Sequence, residues 1–158
     1  MNDSFDQLIE KLMANETAIS GLYRQFAETF PQDADFWKSI SQEELMHASW
    51  IEKLRDVEQK GEIGQGTTTI RVTAIESSIK YIDSLTEKCR RGEIERVNAF
   101  ALAYDIENSL LEKKFLSVFA FGSGTYKGLS DKLVDETKQH IEKISAALAS
   151  IKSGPRHR

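Results

Sequence analysis

The stretch FWKSISQEELMHASWIEKL, residues 36–54, decides how the rest of the chain is read. Spaced helically, Trp37, Ile40, Ile51 and Leu54 form one apolar stripe at alternating steps of three and four. The same count places Glu44 and His47 in the middle of that stripe. A helix that buries this face buries a carboxylate and an imidazole, and an unpaired buried carboxylate is several kcal/mol unfavourable unless it is neutralised. The position therefore requires a partner.

Outside this stretch the chain has the makeup of one ordinary globular domain. It has 158 residues, 40% hydrophobic and 29% charged, with a net charge of −4 and both signs interspersed. No basic run tracks a face, which argues against nucleic acid and anionic membrane as partners. A single cysteine, Cys89, excludes an internal disulfide, a Cys-x-x-Cys redox pair and any all-cysteine metal centre. The start, MNDSFDQLIEKL, is acidic and amphipathic rather than signal-like, and no run approaches the ~20 apolar residues of a membrane span. A cytoplasmic setting is expected. Residues 1–153 are expected to form the domain and 154–158 a short tail.

Between the glycine clusters and the two prolines, Pro31 and Pro155, the period is helical. Helix A is predicted from about Asp3 to Phe30. Helix B, capped by Asp33 or Asp35, runs to about Gly61, and TTTIRVT (67–73) reads as an extended connection. Thr73 and Glu76 have capping-box spacing and open a shorter helix to about Arg91. Helix C follows Gly92 to Phe121, with Val97, Phe100, Tyr104, Leu111 and Val118 on its stripe. Helix D begins between Thr125 and Ser130 and carries Leu129, Leu133, Ile144, Ala147 and Ile151. Two tight hairpins and one long connection predict an all-α four-helix bundle with a single crossover that contains the short helix.

Each long helix has a glutamate on its stripe: Glu16, Glu44, Glu107 and Glu136. In helices B and D the next stripe position is a histidine, His47 and His140. Glu16 and Glu44 are 28 residues apart and Glu107 and Glu136 are 29 apart, each pair nearly symmetric about a turn. At ~1.5 Å per residue all four stand at about the same height. Four carboxylates in a dry core require cations, and two divalent ions match their charge. Oxygen and imidazole donors without thiolate suit iron or manganese, with zinc a further occupant.

This pattern, a Glu on each of two helices and a Glu–His pair on each of the others, resembles the ferritin-like superfamily on its rubrerythrin side. The resemblance runs from Glu16 to His140, and EELMHASWIEKL (43–54) is similar to a rubrerythrin helix B. It implies that Glu44 and Glu136 bridge two irons, that Glu16 and Glu107 are terminal ligands, and that His47 and His140 take one metal each. Tyr23, two turns beyond Glu16, stands where rubrerythrins carry a tyrosine beside the metals, and is the candidate catalytic residue. The implied activity is a diiron oxidoreductase that reduces peroxide or O2, as a homodimer served by a separate electron-donor protein, since the four-cysteine rubredoxin domain is missing. A ferritin-like iron-oxidising role is the alternative, and a helical interaction protein with a vestigial or zinc-filled site is a third. Two departures stand out. Glu136 and His140 are four residues apart rather than three, which is expected to fit a regular helix without a π-bulge. Tyr104 and Leu110 occupy the positions where an additional helix C glutamate would stand, which argues against strong selectivity for peroxide over O2.

Overall fold

The computed structural model describes residues 5–59, 71–109 and 124–154. These residues are all-α, with no strand among them. The first helix, α1 (Phe5–Thr29), buries Leu8, Ile9, Leu12, Ile19, Leu22, Tyr23 and Phe26. It stops where Pro31 disfavours helical geometry at the residue before it. Phe30 leaves the helix and a 3-10 turn, Pro31–Asp33, reverses the chain into α2 (Ala34–Gln59). The α1–α2 hairpin makes the most extensive helix contact among the described residues. Asp33, expected to cap α2, presents both carboxylate oxygens to Arg96, at 2.6 and 2.8 Å. That fork ties the first turn to the start of a later helix.

The short helix, α3 (Val72–Arg90), lies against α1. It begins one residue before Thr73, and its N-cap is the extended Arg71 without a side-chain cap, so the expected Thr73 capping box is replaced. The extra residue, Val72, packs on the apolar cluster around Ile75, and that contact carries the helix past the capping signal. At the other end Gly92, at φ 75°, donates to Cys89 O while Glu93 donates to Lys88 O. This is the glycine-terminated Schellman ending.

Helix α4 (Arg96–Glu107) is shorter than expected. It closes at Asn108, whose N–H bonds Tyr104 O, so Glu107 is its last residue rather than a mid-helix one. Leu111, Val118 and the second predicted turn lie outside the described residues. Its buried face is Ala99, Phe100, Ala103, Ile106 and Glu107, and Tyr104, expected on the stripe from its spacing, is exposed. Ala99 and Ala103 are fully buried in the apolar cluster that also holds Phe100 and Ile106. The last helix, α5 (Gly124–Ser153), packs on α4 and α2. Among the described residues no helix is long and apolar enough to cross a membrane.

Two apolar clusters fill the interior. One joins Leu8, Leu12, Ile51, Leu54, Ile75 and Leu133; the other joins Ile19, Phe26, Trp37, Ile40, Phe100 and Ile144. Between the two clusters the buried residues are Glu16 on α1, Ser41, Glu44, His47 and Ala48 on α2, and Thr137 and His140 on α5. The core is therefore divided by a buried polar layer.

Candidate metal centre

The layer is built from four helices. Glu16 comes from α1, Glu44 and His47 from α2, Glu107 from α4, and Thr137 and His140 from α5, all buried. The register of α1 against α2 is set by two small residues. Ser41 Oγ donates to Ser20 O at 2.9 Å and Ser20 Oγ lies 2.8 Å from Ser41 Oγ. Ser20 is one turn after Glu16 and Ser41 one turn before Glu44, so this close approach brings the two carboxylates level.

His140 is the centre of the layer. Its Nδ1 is 2.8 Å from Glu44 Oε1 and 3.7 Å from Glu107 Oε2, while Nε2 is 2.5 Å from Glu43 Oε2. The His140 ring stacks on His47 with centroids 5.0 Å apart, and His47 Nδ1 is 3.3 Å from Glu44 Oε2. Tyr23 donates its hydroxyl to Glu107 Oε1 at 2.6 Å from a fully buried position against Trp37.

The electrostatics follow from this packing. Burial works against a charged His140, but hydrogen bonds and attraction from Glu107 and Glu44 outweigh it and hold the pKa at about 11. Burial and the neighbouring Glu107 push Glu44 up to about 8, against hydrogen bonds from Glu16 and His140. For Glu107, burial is outweighed by His140 and the Tyr23 hydroxyl, and its pKa is lowered. Burial, followed by the charge of Glu107, raises the Tyr23 phenol well above its ordinary value. These shifts favour the protonated forms of His140 and Glu44 near neutral pH.

Two sets of donor atoms lie within 4.8 Å of one another: Glu44, His47 and His140 on the inside, and Glu43, Glu136 and His140 at the margin. The donors are oxygen and imidazole nitrogen, and the inner set is buried. These residues fit a divalent metal.

The sequence-predicted residues are not all placed alike. Glu16, Glu44, His47, Glu107 and His140 converge in the buried layer and Tyr23 joins them through Glu107. Glu136 is half-buried and groups with Glu43 at the margin. The inward position on that turn of α5 is Thr137, whose hydroxyl donates to Leu133 O at 2.9 Å. From Leu133 to His140 the stripe runs through 137 rather than 136. Both routes suit a regular helix, and α5 is α-helical throughout its described length. Glu43 was missed by the sequence reading; its signal was the tandem acid Glu43–Glu44, of which only the second lies on the stripe. Comparison with protein-family models, with curated proteins and with solved structures gives no match to this chain.

Proposed function

We propose that this chain is a four-helix bundle with one long crossover carrying α3, and that its polar layer is a dimetal-carboxylate centre, of the ferritin-like and rubrerythrin kind, that reduces peroxide or O2. The observation that carries the reading is the buried convergence of Glu16, Glu44, Glu107, His47 and His140 from four helices. Glu16, Glu44, Glu107, His47 and His140 would hold the ions, with Glu136 reaching in from the margin. Bound iron supplies electrons and Lewis acidity to the oxidant. The protein's own part is to exclude water and hold protons. Tyr23 keeps its proton on the phenol and directs it at Glu107 Oε1, which fixes that carboxylate's orientation. Trp37, Phe26 and Phe100 close the layer on one side. Electrons come from a separate donor protein, and the functional unit is a homodimer.

Anaerobic Fe(II) loading with metal quantification, followed by stopped-flow mixing with peroxide or O2, tests this reading. The expected result is two ions per chain and rapid oxidation by both oxidants at comparable rates. Binding of no ion, or a diferrous form inert to both, overturns it. A second reading has a specific observation behind it. Thr137 stands where a fourth inward carboxylate would, which favours one ion held by Glu44, His47 and His140, the two-imidazole, one-carboxylate set of mononuclear iron sites. One ion per chain selects it.

A further inference from the structure

We propose that Glu43 is the positioning residue of His140, a carboxylate that fixes which ring nitrogen is offered to metal. The inference rests on the metal-binding reading above. Two consecutive residues of α2 bracket one imidazole: Glu44 Oε1 is 2.8 Å from Nδ1 and Glu43 Oε2 is 2.5 Å from Nε2. Adjacent helical residues point about 100° apart. Glu44 therefore faces the buried layer while Glu43 stands at its edge, half-buried. Its second oxygen, Oε1, is 3.2 Å from the Lys143 ammonium, which lies one turn beyond His140 on α5. Glu43 is thus tethered on both oxygens to the same helix, and the His140 ring cannot swing without breaking one of them. The His47 ring stacked on its face blocks tilting.

A histidine that binds metal through one nitrogen commonly donates its other N–H to a carboxylate, which sets tautomer and ring orientation. Here the outer carboxylate accepts a hydrogen bond from Nε2–H, so Nδ1 is the nitrogen offered to metal beside Glu44 and His47. With metal bound, Nδ1 would be the donor to the ion and Nε2–H would stay hydrogen-bonded to Glu43.

Zinc provides a test without redox chemistry. Zn(II) affinity is measured by chelator competition for wild type, Glu43→Gln and Glu43→Ala, and histidine ¹⁵N shifts are recorded for the zinc-loaded wild type. Glu43→Ala is expected to weaken zinc binding by about 10–100-fold. Glu43→Gln, which keeps an acceptor oxygen, should recover most of that loss. The His140 resonances should show Nδ1 metal-bound and Nε2 protonated. Thermal melts of the metal-free variants confirm folding, and the ¹⁵N assignment on wild type stands whether or not a variant folds. Zinc on Nε2, or unchanged affinity in Glu43→Ala, overturns the role of Glu43 alone. A wild-type protein that binds no zinc overturns the metal reading and this inference with it.

Discussion

Tyr23 and Glu44 show how the layer depends on single groups. The Tyr23 hydroxyl is the donor on Glu107 Oε1, in a place water does not reach. Tyr23→Phe leaves that buried oxygen without its donor, and the metal-free protein should lose about 1–3 kcal/mol in urea unfolding. Glu44 touches both histidines, so it joins the two imidazoles to one carboxylate. Glu44→Gln keeps volume and hydrogen bonding but removes the anion. Zinc or iron binding should weaken by more than about 100-fold, because even a carboxylate that only orients a ligand is worth about 10–100-fold. Equilibrium dialysis with metal analysis measures it. Glu44 and His47 were legible in residues 36–54 because a polar side chain on an apolar stripe is conspicuous. Glu43 was not, because its partner, His140 Nε2, lies 97 residues away on another helix.

The helices are positioned by their ends as much as by their stripes. Arg96 reaches from the start of α4 to Asp33 in the α1–α2 turn, and Gly92 turns the chain from α3 toward α4. At φ 75° an L-residue brings Cβ against the backbone, although no other atom lies within 4 Å of the added Cβ. Gly92→Ala should therefore destabilise the fold by about 1–2 kcal/mol through backbone conformation alone. Chemical denaturation checks it, and a matched Gly128→Ala control, within α5 and with open space around it, should be neutral or stabilising. Gly92 and Pro31 were readable as punctuation. The end of α4 at Glu107 was not, since Asn108 carries no strong stop signal and the sequence beyond it is again apolar.

For the whole molecule, the shifts of His140 and Glu44 predict a pH dependence that reverses with metal. In the metal-free fold His140 and Glu44 both have raised pKa values, about 11 and about 8. A group raised on folding contributes stability that is complete below its unfolded value and is lost as pH rises through the folded one. Glu107 is lowered, so its contribution disappears only at acid pH. The melting temperature of the metal-free protein should therefore fall from about pH 5 to about pH 11. Metal binding requires these groups deprotonated, so the stabilisation by zinc should grow over the same range. Thermal melts with chelator and with zinc across that range measure both slopes. A metal-free melting temperature that rises with pH would contradict these shifts.

The sequence by itself determined that the chain is helical, where α1 and α2 turn about Pro31, and that Glu16, Glu44, His47, Glu107 and His140 are buried. These are local matters: a period of 3.6 residues assigns each side chain to a face, and a breaker ends the run. Tertiary structure decided that Thr137 rather than Glu136 faces the layer, that Tyr104 is exposed, and that Glu43 meets His140. A shift of one residue rotates a helix face by about 100°, and more than one phase of α4 and α5 satisfies the same apolar spacing. Which phase is adopted depends on what the neighbouring helices can accommodate. Ala99 and Ala103 on α4 join one cluster and Leu133 on α5 joins the other with residues of α1 and α2, contacts that no single helix contains in its own sequence.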